Sequence, residues 1–215
     1  MQRIDSTAIE TMGIPRLLLM EHAGDAVART VETMAAPSAR ILICCGTGYN
    51  GGDGMATARL LREHRYRVRV LLAGALSRLR EEPARYAGML RHLRVPVRIC
   101  RTPESIRRAA RWFDGADLIV DALLGIGTKG RVREPLATLI RQINAASVPV
   151  VAVDVPSGLD GDCGTPQGVA VKATTTVTFG CVKRGCLIAQ GPAHTGSLTL
   201  DPITIPRELL EHAAR

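Results

Sequence analysis

Aromatic residues are scarce in this chain: one Trp, three Tyr and two Phe among 215 residues. A single-strand nucleic-acid binder interleaves aromatics with its basic side chains as stacking platforms, so the scarcity argues against that class. No apolar run approaches the ~20 residues of a membrane-spanning helix, and the opening MQRIDSTAIE is too polar for a secretory leader. The cysteines (Cys44, Cys45, Cys100, Cys163, Cys181, Cys186) form no C-x-x-C clusters, and the histidines form no H-E-x-x-H pair. Zinc-ribbon and small disulfide-framework readings fall with them. Several of these thiols lie in apolar runs such as ILICC, where they act as small hydrophobes. A soluble, cytoplasmic globular protein is the expectation that remains.

The composition that is present supports a core: 46% of residues are hydrophobic and 22% charged. A chain of this length suits one domain, taken here as residues 1–215. The excess of 28 basic over 20 acidic residues gives a net charge of +8. Such a balance suits an anionic partner, either nucleic acid or a phosphorylated small molecule. The arginines are spread along helix-like stretches, which favours an Arg-rich surface over a nucleic-acid patch.

Short apolar runs alternate with helical patterns. Segments 39–45, 66–73, 95–100, 116–124, 148–155 and 174–180 read as strands, with helices predicted over Asp53–His64, Glu81–Leu93, Pro103–Phe113 and Glu134–Ala146. Near-continuous apolar strands separated by helices predict an α/β fold: a three-layer, Rossmann-like, mostly parallel sheet with helices on both faces. Segments 2–11 and 16–35 carry helical periodicity broken at Gly13-Ile14-Pro15, an N-terminal helical pair outside that rhythm. The closing GSLTLDPITIP reads as one or two further edge strands.

Ligands of open α/β sheets bind beyond the carboxyl ends of the strands. Three of the segments there are unusual. After the first strand, Gly46-Thr47-Gly48-Tyr49-Asn50-Gly51-Gly52-Asp53-Gly54 predicts a loop that takes positive φ or admits a group close to its backbone, an anion site at a helix start, with Asp53 as a possible N-cap. It is neither a Walker loop nor a clean G-x-G-x-x-G. After the fourth strand, Asp121 closes an apolar run and is followed by Gly125-Ile126-Gly127-Thr128-Lys129-Gly130-Arg131, a second place for phosphate oxygens. After the fifth, Asp154 is followed by Ser157 in DVPSGLD. Partial desolvation would raise the pKa of Asp154 toward a general base. Ser157 has no G-x-S-x-G elbow, which disfavours a hydrolase triad. Asn50, Asp121 and Ser157, all at strand ends, offer oxygens that suit a weakly charged cation better than zinc.

Those loops, in this order, resemble the NAD(P)H-hydrate epimerase family, the YjeF N-terminal domain. The resemblance runs from IPRLLLMEHAG (14–24) through GTGYNGGDG (46–54), DALLGIG (121–127) and DVPSGLD (154–160) to AVKATTTVTFGCVKRG (170–185). It implies an isomerase that interconverts the R and S forms of hydrated NADH and NADPH, hydroxylated at C6 of the nicotinamide ring, as metabolite repair. It implies a potassium ion held by Asn50, Asp121 and Ser157. Its dinucleotide site maps onto Tyr49, Asn50, Gly51, Gly52 and Asp53, onto Gly125–Arg131, and onto Asp154, with Asp154 as the acid/base. Lys172 is a second catalytic candidate, with a surface position before a strand as its alternative. The implied partners are NADHX or NADPHX, a separate dehydratase that consumes the S form, and a second copy of the chain in a homodimer. Tyr49 and His22 depart from the family's Asn at those positions; stacking is one substitute at Tyr49, and a supporting or capping role is expected of His22.

Two rival readings differ in class. One is a non-catalytic dimerisation or RNA-associated scaffold module of the same fold, against which stand Asp121, Asp154 and Ser157 at strand ends. The other is a nicotinamide dehydrogenase, disfavoured because LLAGALSRLR after the second strand offers no acid for a ribose.

Overall fold

A computed structural model describes residues 2–213 of the chain. Seven strands form one sheet: β1 Arg40–Cys45, β2 Arg67–Ala73, β3 Val97–Cys100, β4 Leu118–Ala122, β5 Val150–Val153, β6 Thr175–Phe179 and β7 Ser197–Asp201. Their order is β3-β2-β1-β4-β5-β6-β7, and every pairing is parallel. The mostly parallel sheet expected from sequence is therefore parallel throughout, and the closing segment adds one strand.

The alternation along each strand explains why both faces are covered. On β1, Ile41, Ile43 and Cys45 bury on one face, while Leu42 and Cys44 bury on the other. The first face is covered by α2 (Arg16–Met34), α3 (Tyr49–Glu63) and α4 (Glu81–His92). The second is covered by α5 (Pro103–Arg107), α6 (Ala110–Asp114) and α7 (Leu136–Ala145). The expected N-terminal pair is present: α1 (Gln2–Ser6) runs into a π-helical turn at Thr7–Thr11, and α2 follows Pro15. Two short helices, α8 (Gly191–Thr195) and α9 (Arg207–Ala213), flank β7.

Two helices differ from expectation. The single helix expected over Pro103–Phe113 is divided between α5 and α6, with three-residue turns at Ala109→Ile106 and Trp112→Ala109. This break lets Ile106, Ala109 and Phe113 all enter the same core face. More consequentially, α3 starts at Tyr49 rather than Asp53. Asn50 to Asp53 are thus helical, and Asp53 is not an N-cap; Gly48 holds that position.

The chain runs from β1 outward to β3, then returns to the other side of β1 as β4. That reversal opens a crevice above the carboxyl ends of β1 and β4, where ligands of such sheets bind.

Candidate active site

A cavity of about 750 Å³ lies at this crevice, reaching from Asp154 and Phe179 at the β5–β6 end to Ala73 and Arg80 beyond β2. The N-terminal segment roofs it through Asp5 and Ile9.

Of the glycines after β1, Gly46, Gly51, Gly52 and Gly54 serve packing. None of Gly46, Gly48, Gly51, Gly52 or Gly54 has positive φ, contrary to a loop built for left-handed turns. A Cβ on Gly46 would stand 2.0 Å from the Leu123 carbonyl oxygen, and one on Gly51 would stand 2.0 Å from that of Gly46. A Cβ on Gly54 would meet that of Ala122 at 2.4 Å. Missing side chains let α3 sit directly on β1 and β4, so the first turn of the helix, with Asn50, reaches the strand ends. Gly24 does the same between helices, where a Cβ would come within 2.6 Å of Ala56 Cβ.

Asn50, Asp121 and Ser157 meet in one hydrogen-bonded knot. Ser157 donates to Asp121 twice, from Oγ to Oδ1 at 2.6 Å and from its amide to Oδ2 at 2.8 Å. The Leu123 amide reaches Oδ1 at 3.3 Å. Leu124 joins the third member: its carbonyl accepts from Asn50 Nδ2 at 3.0 Å, and its amide donates to Ser157 Oγ at 2.9 Å. Asp121 is fully buried, and no cationic side chain pairs with it among the described residues. Burial pushes its pKa up to about 6, against the pull of its hydrogen bonds from Ser157 and Leu123. A buried carboxylate lacking a counter-charge is costly. The surrounding donors are all oxygens: an amide, a hydroxyl and a main-chain carbonyl. That set suits a large monovalent ion, and the described residues contain no group of three His, Cys, Asp or Glu placed for a divalent or transition metal.

Beside this knot lies a second arrangement. Asp154 follows the last residue of β5 with φ +68, a left-handed conformation that Asp tolerates better than most residues. Its amide stays bonded to Val177 at 2.7 Å while the side chain turns toward β6. There the Lys183 ammonium, the Thr178 hydroxyl and the Phe179 amide all address Oδ1. Lys183 also donates to the Phe179 carbonyl at 2.7 Å. No hydrogen bond among the described residues engages Oδ2, and Asp154 lines the cavity. Asp53 and Asp5 share the space. Burial, and then repulsion from Asp154 and Asp5, raises Asp53 well above the usual carboxylate range; burial likewise raises Asp5.

The remaining candidates divide. Tyr49, Asn50, Asp53, Gly125, Ile126, Gly127, Thr128 and Asp154 line the cavity. Gly51, Gly52, Lys129, Gly130 and Arg131 are not among its lining residues, and Asp121 and Ser157 lie beneath it. Lys129 is exposed and donates to Asp162 at 2.6 Å. Lys172 is exposed, with its amide bonded to Asn144, and stands outside the cavity. The lysine beside Asp154 is Lys183 of the VKRG motif, to which the sequence alone assigns no role. Tyr49 stacks on protein: the guanidinium carbons of Arg16 and Arg80 lie 4.4 and 4.7 Å from its ring centre. His22 lies inside α2, so it caps nothing, and it does not line the cavity. Its neighbour Glu21 ties three helices together, accepting from Arg59 of α3 and from Tyr86 of α4.

Fold and site together define a Rossmann-like α/β protein, with titratable groups gathered at the reversal of strand order. Residues 16–185 match the family model described as YjeF-related protein N-terminus, and the chain belongs to that family. A bifunctional NAD(P)H-hydrate repair enzyme of Pyrobaculum aerophilum is 47% identical over 93% of this chain, which spans 40% of that relative. An NAD(P)H-hydrate epimerase of Limosilactobacillus fermentum is 41% identical over 91% of this chain and 90% of its own length. The crystal structure of the yeast protein ynu0 shares the fold, with a TM-score of 0.81 and 24% identity over 97% of this chain and 88% of that one.

Proposed function

We propose that the chain is an NAD(P)H-hydrate epimerase that equilibrates the R and S forms at C6 of the hydrated nicotinamide ring. The observation that carries the reading is the pairing, at one crevice, of an open carboxylate oxygen on Asp154 with the buried oxygen knot of Asn50, Asp121 and Ser157. Relatives that carry the epimerase name over nearly their whole length support it.

Inversion at C6 requires one bond to break and re-form on the other face. In ring opening, the C6 hydroxyl gives up its proton, a C=O bond forms, and the C6–N1 pair stays on nitrogen. In loss of water, the hydroxyl takes up a proton and leaves with the C–O pair, while the nitrogen lone pair forms a C=N bond. Either route moves one proton at the C6 oxygen, so one positioned acid/base group suffices. Asp154, which lines the cavity and whose Oδ2 is free of hydrogen bonds among the described residues, serves that role. Lys183, Thr178 and Phe179 hold the other oxygen, fixing the carboxylate plane. Lys183 thereby acts as a positioning residue.

Potassium fits the knot, with Asp121 supplying charge and Asn50, Ser157 and the Leu124 carbonyl supplying oxygens. When bound, it would neutralise Asp121 and brace the three loops that shape the cavity. The S form goes on to a dehydratase, and the chain works as a homodimer. No described helix is long and apolar enough to cross a membrane. The test is to follow the purified S hydrate by chromatography or NMR. Conversion to the R/S mixture at the spontaneous rate would end the proposal.

A further inference from the structure

The cavity has a second end that the epimerisation chemistry leaves unused. The cavity runs to Ala73 at the carboxyl end of β2, a strand that lies three inter-strand spacings or about 14 Å from β5 in the sheet. Arg80 and Arg16, which line it too, are both held against Tyr49. Arg80 also donates to the Tyr49 hydroxyl at 3.3 Å. Arg16 has only a loose ion pair with Glu82, at 3.7 Å, and Arg80 has no carboxylate partner among the described residues. Here, then, are two positive charges pre-oriented by a ring and facing a space that opens toward the reacting end. Arg16 is partly offset by Glu82 and by Asp5, which lines the same cavity, while Arg80 keeps its charge without a carboxylate partner among the described residues.

The segment from β2 to Arg80, Gly74-Ala75-Leu76-Ser77-Arg78-Leu79, contains no carboxylate. In sheets of this topology the end of β2 meets the adenosine ribose. An acid there bonds a free 2′-hydroxyl, whereas an arginine accepts a 2′-phosphate. An acid would also repel a phosphate dianion; here its place is taken by guanidinium groups suited to bidentate phosphate contact.

Resting on the epimerase reading, we propose that Arg16 and Arg80, braced by Tyr49, bind the 2′-phosphate of the adenosine half and make the chain prefer NADPHX over NADHX. The diphosphate common to both substrates is the competing occupant of the same charges, and the two give different results. Two measurements on the intact chain test the proposal. The first is calorimetric binding of 2′,5′-ADP against 5′-AMP. The wild type binds the 2′-phosphorylated probe at least about tenfold more tightly, and Arg80→Gln and Arg16→Gln each shrink that ratio. The second is the ratio of kcat/KM for NADPHX to that for NADHX, which favours NADPHX in the wild type and falls in both variants. Equal binding of the two probes overturns the proposal, as does a ratio unmoved by substitution or an equal loss on both substrates, which assigns the arginines to the diphosphate. If neither hydrate is epimerised, the epimerase reading fails while the probe ratio still judges the phosphate site.

Discussion

Asp117 and Asp121 stand four residues apart at opposite ends of one strand, and the protein treats their charges in opposite ways. Asp117, exposed below β4, accepts from Arg40 Nη2 at 2.6 Å and from its amide at 2.8 Å. Those bonds hold its pKa down to about 2. Asp121, fully buried at the top, has only neutral donors, and burial drives it up to about 6. A carboxylate placed for structure is given its cation by the same chain. Asp121, held by neutral donors and left without a counter-charge in a crevice ringed by loops from three strands, is the group that the proposed ion would neutralise. The Asp154–Lys183 pair is intermediate, with one oxygen saturated and the other open.

The comparison breaks most easily at the open carboxylate. Asp154→Asn slows R/S equilibration by about 10²–10⁴, while Asp117→Asn leaves the rate unchanged. A thermal melt of Asp154→Asn, alone and combined with Lys183→Met, separates lost chemistry from an unpaired buried ammonium. Equal rates for Asp154→Asn and wild type would remove Asp154 as the acid/base.

A second contrast concerns the glycines that let the upper end close. Gly46→Ala places a methyl against the Leu123 carbonyl and costs about 1–3 kcal/mol by overpacking. Gly48→Ala meets nothing within 4 Å and melts near the wild type. Matching melts for the two variants would show that the contact between the loops following β1 and β4 does not need bare backbone.

Potassium sharpens the contrast between the two aspartates. At tenfold its dissociation constant, the ion stabilises the fold by about 1.4 kcal/mol, roughly 3–6 °C for a chain of this size. Asp121→Asn loses that increment; Asp117→Asn keeps it. Melts in potassium and tetramethylammonium chloride at equal ionic strength make the comparison, and identical midpoints for the wild type would discard the ion.

The smallest effect lies at the lower end. Asp117 has a pKa depressed below its unfolded value of 3.8. Its contribution is therefore present above about pH 4 and lost as pH falls through about 2. Arg40→Met lowers the melting temperature slightly at pH 6, and the difference closes by pH 2. A constant offset across that range would mean that Arg40 acts by packing alone.

Most strands were legible because parallel, doubly covered strands are continuous apolar runs, and Ile41 to Cys45 could hardly be anything else. The start of α3 was not legible. Gly-rich stretches signal turns locally, and only the nearness of Gly46 to Gly51 and of Ala122 to Gly54 shows that these two glycines are contact points within a helix. Asn50, Asp121 and Ser157 were found because each is a polar residue interrupting an apolar segment. Lys183 escaped notice because a lysine in CVKRG has no local oddity; it gains meaning from Asp154, 29 residues upstream.

Alternation and composition, which depend on near neighbours in the chain, were enough to dictate a layered α/β domain and to flag the acids at strand ends. Which acids receive a counter-charge was decided only by folding. Ion pairing and desolvation are set by distance in space, and the sheet brings together residues that the chain keeps more than thirty positions apart. The same is true of the arginines around Tyr49, whose shared ring exists only once α2, α3 and the segment after β2 converge.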